Sequence, residues 1–145
     1  GLGKIGMQIA FELKRLFGCF VFIDKEGATG EQIAFLEKRL GTRYWIQTAN
    51  ACETTQIAEL LKEFDVDVCV GAVPSFMQHK VAEAAAIYGD CHCFDLGASQ
   101  ESLNLQKGFG ERFRKNHNFV EVLQKSISLR CYLIINFSRI INLYN

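Results

Sequence analysis

The chain has 145 residues, long enough for one domain with a substantial core. It is 49% hydrophobic, 22% charged and formally neutral. That is ordinary globular material, and it argues against a general nucleic-acid binder, which carries a basic excess. The one local basic run, Arg112, Arg114 and Lys115, reads as a solvated helix end.

The first ten residues spell G-x-G-x-x-G-x-x-x-A, with glycines at Gly1, Gly3 and Gly6 and with Lys4 and Ile5 inside the loop. In a dinucleotide-binding unit Gly1 makes the tight turn out of a strand, and Gly3 lets the backbone approach a pyrophosphate. Gly6 lets the helix pack closely on the sheet. The N–H groups and positive dipole end of that helix then face the phosphates. A helical pattern follows in Ile5, Ile9, Phe11, Leu13, Leu16 and Phe17, ending at Gly18. A strand over 19–23 ends in Asp24, roughly 20 residues after the loop, where such folds carry the acid that binds the adenosine ribose. As an alternative, Asp24 is a turn residue closing a strand. A glycine-rich loop of this kind normally follows a strand, and none precedes Gly1, so the sequence reads as a fragment lacking the first strand.

Thr29 or Gly30 is positioned to cap a helix beginning near Glu31, with apolar positions Ile33, Phe35, Leu36 and Leu40 and a stop at Gly41. A short strand is expected over 44–47. Thr54 or Thr55 is expected to cap the next helix, which carries Ile57, Ala58, Leu60, Leu61 and Phe64. The run 66–73 is short, rich in valine and nearly all apolar, as a strand covered on both faces reads. Pro74 ends it. An alanine-rich helix over 76–88, a strand over 91–96 and a helix over 100–115, weakened by Gly108 and Gly110, complete the alternation. With the first strand restored, the expectation is a Rossmann-like, doubly wound parallel sheet in three layers, α/β/α. The domain spans 1–117 and is incomplete at its N-terminus; 118–145 is an atypical tail.

Six cysteines contain no C-x-x-C pair, and no secretory signal is visible, so a reduced, cytoplasmic setting is expected. Cys91-His92-Cys93 suggests a metal, but two ligands on one short strand do not make a zinc site, and no metal is expected. In the tail, Arg130 and Arg139 bracket only eight uncharged residues, far fewer than the ~20 of a membrane-spanning helix. Residues 132–137 are apolar on both faces and β-compatible. They either fill the vacant place in the sheet or form a helix packed on it.

In folds of this class the chemistry lies at the carboxyl ends of the strands. Those ends hold the glycine loop, Asp24, the segment Ala72-Val73-Pro74-Ser75, and Asp95-Leu96-Gly97. Asp24 accepts from both ribose hydroxyls of NAD and repels the 2′-phosphate of NADP; Lys25 keeps NADP open, since it pairs with that phosphate.

Three segments together resemble the NAD(P)-binding domain of the saccharopine dehydrogenase family. They are Val68-Cys69-Val70-Gly71-Ala72-Val73-Pro74-Ser75-Phe76, Ala82-Glu83-Ala84-Ala85 and His92-Cys93-Phe94-Asp95-Leu96-Gly97. The run from Asp95 to Glu101 is especially similar to the lysine 6-dehydrogenase and carboxynorspermidine dehydrogenase side of that family. With the glycine loop, the resemblance covers about residues 1–117. It implies an NAD(P)-dependent oxidoreductase acting on carbon–nitrogen bonds of amino acids or polyamine precursors. It also implies that Val73, Pro74 and Ser75 line the nicotinamide side and that Asp95 sits near nicotinamide and substrate. Asp95 is thus the candidate catalytic residue, with a turn-holding or helix-capping role as the alternative. Expected partners are the dinucleotide and, in the full-length protein, a small amino-acid-like substrate; a homo-oligomer is compatible, and neither nucleic acid nor membrane is expected. Family members continue into a large substrate domain that has no counterpart after His117, so this chain alone is expected to be inactive. Two alternatives stand: a non-catalytic Rossmann module, either an NAD sensor or a truncated remnant, and, ranked third, a methyltransferase using S-adenosylmethionine.

Overall fold

A computed structural model describes residues 1–110. The expectations for the end of the last helix, the basic run at 112–115, Cys131 and the tail at 118–145, including the strand-filling segment 132–137, lie outside the described residues. Helix α1 is Lys4–Leu13, followed by β1 (Cys19–Asp24), α2 (Gly30–Arg39), β2 (Arg43–Thr48) and α3 (Thr54–Glu63). Then come β3 (Val68–Gly71), a short 3₁₀ turn (Ser75–Met77), α4 (Gln78–Tyr88), β4 (His92–Asp95) and α5 (Gln100–Lys107). The protein is α/β, with helices alternating with short parallel strands. β1 pairs with β2, Cys19 opposite Arg43 through Asp24 opposite Thr48. β3 pairs with β4, Val68 opposite His92 through Gly71 opposite Asp95. The expected single sheet is therefore two separate two-stranded ladders among the described residues, because no described backbone bond joins β1 to β3.

Local chemistry explains most boundaries. Thr29 caps α2 with a reciprocal pair of bonds: its hydroxyl accepts from the Gln32 N–H at 3.3 Å, and its own N–H donates to Gln32 Oε1 at 2.7 Å. Gly89 closes α4 in the left-handed region (φ 87°), where a side chain is unfavourable, and its N–H donates to the Ala85 carbonyl. Ser99 caps α5 by accepting from the Ser102 N–H at 3.2 Å.

Several sequence expectations need correction. Neither Thr54 nor Thr55 caps α3; Glu53 occupies that position and makes no side-chain bond. α1 stops at Leu13, so Leu16 and Phe17 lie in the turn beyond it, with Leu16 half exposed. β3 holds four residues, not eight, and Val68, Cys69 and Val70 are only half-buried.

Two cores hold the elements. One gathers Leu2, Ala10, Phe22, Leu36 and Leu40, joined by Phe20, Tyr44 and Ile46. The other gathers Ile57 and Leu61 of α3, Val81, Ala82, Ala84 and Ala85 of α4, and Cys91 and Cys93. Alternation along the strands assigns the residues: Phe22 enters the first core, and its neighbour Ile23 packs against the second. Tyr44 lies against Phe22 at 6.4 Å between ring centroids, and the adjacent Trp45 meets Phe64 at 5.5 Å. Small side chains make the second core possible, since alanines let α3 and α4 approach closely. No helix among the described residues is long and apolar enough to cross a membrane.

Truncating Leu36, 1% exposed in the first core, is expected to lower unfolding stability by about 2–5 kcal/mol. Ile5→Ala, at a side chain 65% exposed, is expected to stay within about 0.5 kcal/mol. Urea titrations of the two variants against the parent chain measure both.

Candidate functional site

The glycine loop is held by the residue between its first two glycines. Leu2 is fully buried; its N–H donates to Asp24 Oδ2 at 2.8 Å, and its carbonyl accepts from Gln32 Nε2 at 2.9 Å. One dipeptide unit is thereby tied to the end of β1 and to the start of α2. Gly1 fits between the two ladders: a Cβ there would lie 3.1 Å from Asp24 Oδ2 and 3.5 Å from the Ala72 carbonyl oxygen. Gly6 is demanded by packing, since a Cβ would overlap the Gly1 carbonyl oxygen and press on the Ala72 methyl.

Gly3 differs from both. It is the N-cap of α1, in an extended conformation any residue adopts (φ −64°, ψ 170°), with no side-chain cap bond. A Cβ there would meet no atom within 4 Å. Neither backbone strain nor packing calls for glycine at this position. The first turn's N–H groups, from Lys4 through Gly6, precede the first bond of the helix, which runs from the Met7 N–H to the Gly3 carbonyl at 3.1 Å.

Asp24 ends β1, half-buried. Its Oδ2 holds Leu2 and its Oδ1 accepts from the Glu26 N–H at 3.1 Å. One bond to each oxygen leaves a carboxylate with acceptor capacity to spare. Lys25 is exposed and pairs with Glu26 at 3.1 Å.

The end of β3 is organised by a residue that sequence reasoning missed. Gln78, 2% exposed, donates from Nε2 to the carbonyls of Gly71 at 3.0 Å and Val73 at 2.9 Å. Its amide lies over Gly71, where a Cβ would overlap Gln78 Oε1. A glutamine four residues past a proline turn was the only signal available. Ser75 contributes its backbone: its carbonyl accepts from the Ser99 N–H at 3.0 Å, which joins this loop to the start of α5. Ser102, also missed, accepts from the His79 N–H at 2.8 Å and so satisfies the first turn of α4.

A groove of about 590 Å³ runs between β1 and β3. Of the sequence-derived site residues, Gly1, Gly6, Asp24 and Lys25 line it from one side and Ala72, Val73 and Pro74 from the other. Gly3, Lys4, Ile5, Ser75 and Asp95 do not line it. Asp95 lies beside the groove's β3 wall, paired in register with Gly71. Its Oδ1 accepts from the Gly97 N–H at 2.9 Å and shapes the turn after β4, while its buried Oδ2 has no partner among the described residues.

Three thiols lie at β3 and β4: Cys69 half-buried, Cys91 and Cys93 buried. Cys69 and Cys93 are register partners. The bond between them, with burial, pushes the Cys93 thiol well above its usual range, and the same bond holds Cys69 below its own. Burial pushes Cys91 up to about 12. These are protonated packing groups at neutral pH for Cys91 and Cys93. Among the described residues, no group of three or more His, Cys, Asp or Glu side chains is arranged to hold a metal ion.

No protein-family model, curated protein or solved structure matches this chain.

Gln78→Ala removes one buried and one part-buried bond and strands the carbonyls of Gly71 and Val73. The expected loss is about 1–3 kcal/mol, with faster amide hydrogen exchange concentrated in residues 71–78. Uniform acceleration across the chain would refute the local role.

Proposed function

We propose that this chain is the nicotinamide-dinucleotide-binding portion of an oxidoreductase acting on carbon–nitrogen bonds of amino acids or polyamine precursors, saccharopine dehydrogenase-like in character. Gly3 carries the reading. A glycine that neither conformation nor packing requires, at a helix start with no side-chain cap, leaves room for an outside acceptor close to the backbone. A pyrophosphate has the charge and size for that position. Asp24, with acceptor capacity left after its two backbone bonds, suits the ribose hydroxyls. Its negative charge disfavours a 2′-phosphate, and Lys25 is already offset by Glu26, so NAD is preferred over NADP.

The same reading makes the architecture a Rossmann-like doubly wound sheet in three layers. Its support is the parallel pairing within each ladder, with Phe22 and Ile23 entering different cores. When bound, the dinucleotide would supply hydride transfer to or from a C–N centre. This chain's part is to hold the phosphates at the start of α1, orient the ribose through Asp24, and shape the Val73-Pro74-Ser75 loop through Gln78. The resemblance to the family puts Asp95 near the reacting groups. The bond from Gly97 to Asp95 favours a second reading, a non-catalytic module in which Asp95 holds a turn.

Isothermal titration of the full chain with NADH and NADPH separately tests the proposal. NADH is expected to bind saturably and more tightly than NADPH, with Asp24→Ala weakening it. Gly3→Ser is the sharper variant: serine is a better N-cap than glycine, by a few tenths of a kcal/mol, so thermal stability should hold or rise. NADH affinity should fall about tenfold or more as the hydroxyl takes the N–H groups meant for phosphate. Unchanged NADH affinity in a folded Gly3→Ser chain would sink the phosphate assignment.

A further inference from the structure

The side chain that completes the cap of α2 also sets the loop that opens α1. At α2 the N-cap Thr29 and the third helical residue Gln32 each satisfy a backbone N–H of the other. At α1 the same two positions are Gly3 and Gly6. Neither has a side chain, so no such bonds close α1, and the Gly3 N–H has no partner among the described residues. In a capping box the third helical side chain reaches the N-cap N–H, which therefore lies beside the free N–H groups of the first turn.

Gln32 uses both ends of its amide. Its Oε1 accepts from the Thr29 N–H at 2.7 Å, and its Nε2 donates to the Leu2 carbonyl at 2.9 Å, 30 residues away. Thr29 offers only a donor there and Leu2 only an acceptor, so the pair fixes the amide in one orientation. The Leu2 carbonyl and the Gly3 N–H belong to one trans peptide unit. That unit is planar, with its C=O and N–H pointing in opposite directions. Holding the carbonyl against α2 therefore turns the Gly3 N–H away from α2. No packing at Gly3 does this instead, since a Cβ there would meet no atom within 4 Å.

We infer that Gln32 is a positioning residue for the phosphate-binding loop: by holding the Leu2 carbonyl it aims the Gly3 N–H, together with the open first turn of α1, at the pyrophosphate. This role rests on the dinucleotide reading above. It adds a requirement at position 32 that a helix cap alone does not impose. Capping Thr29 needs an acceptor; aiming Gly3 needs a donor as well. Glutamate, an equally good partner in a capping box, supplies the first and not the second. Methionine, of similar length and uncharged, supplies no N–H donor and at most a weak acceptor.

The test compares the full chain with Gln32→Glu, Gln32→Met and Thr29→Ala, by isothermal titration with NADH and by thermal unfolding. Both variants at position 32 are expected to bind NADH about tenfold or more weakly, and Gln32→Glu to melt close to the parent. Thr29→Ala loses the cap hydroxyl and keeps both bonds of Gln32. It is expected to melt about 2–6 °C lower with NADH affinity unchanged. In the isotope-labelled parent the Gly3 amide resonance is expected to move on saturation with NADH, and in saturated Gln32→Glu to stay near its free position. That resonance decides the matter if Gln32→Met does not fold. Parental affinity in both folded variants at position 32 overturns the role and leaves the dinucleotide reading in place. A loss confined to Gln32→Glu, with Gln32→Met folded, also overturns it, because repulsion by the new carboxylate then accounts for the effect. So does an equal loss in Thr29→Ala, which reduces Gln32 to a cap. A parent chain that binds no NADH removes the dinucleotide reading and the role of Gln32 together.

Discussion

The bond from the Leu2 N–H to the Asp24 carboxylate sets the position of everything at the amino end of this protein. A part-buried, charge-assisted hydrogen bond of 2.8 Å is among the stronger interactions available to a backbone amide. It acts with the Leu2 side chain, which is fully buried against Phe22 and Leu36, and with Gln32, which holds the Leu2 carbonyl. Three kinds of restraint converge on one residue. As a result the glycine loop is placed relative to β1 and α2 without any contact of its own glycines doing so. Gly6 then follows by exclusion, because only hydrogen fits between α1 and the Gly1 carbonyl.

The far ladder is organised on a different principle. Its strands are four residues long and half-buried, too short to hold a loop by themselves. A buried glutamine does it instead. Gln78 bonds the carbonyls on both sides of Ala72, so the proline turn is fixed by the first residue of the helix that follows it. Ser102 repeats the device one connection later by capping α4 from α5. Polar side chains buried at helix starts thus do for β3 and β4 what Leu2 and Asp24 do for β1. Gln78 Nε2 and the Ser102 hydroxyl each bond backbone groups that would be costly to leave unmade, while the buried Gln78 Oε1 has no partner among the described residues.

These two arrangements leave a gap with chemically distinct ends. At the carboxyl end are the glycine loop, a carboxylate and the proline turn; along its length are apolar side chains of β1 and β3. The proposed dinucleotide reading concerns the first.

The order of helices and strands was legible in the sequence, because it rests on local features: periodicity, glycine and proline punctuation, and a capping threonine that makes the expected bonds. Leu36 and Leu61 announce their burial by spacing, although Ile33 and Phe35 of the same apolar pattern are exposed. The carboxyl-end residues Gly1, Gly6, Asp24, Ala72, Val73 and Pro74 were identifiable as a set, since loops after strands lie at one end of a parallel ladder. What spacing could not express is which long-range partners the polar residues take. Gln78 looks like an ordinary helix residue until the chain folds and brings the Gly71 carbonyl to it. Asp24 reads as a ligand or a turn residue, yet only the folded chain shows that it first serves the Leu2 N–H. The half-burial of β3 depends on what packs beside it, which its apolar run does not express. Local chemistry determined the elements; the tertiary structure alone decided their partners, because a side-chain bond to a backbone group in another element leaves no periodic trace.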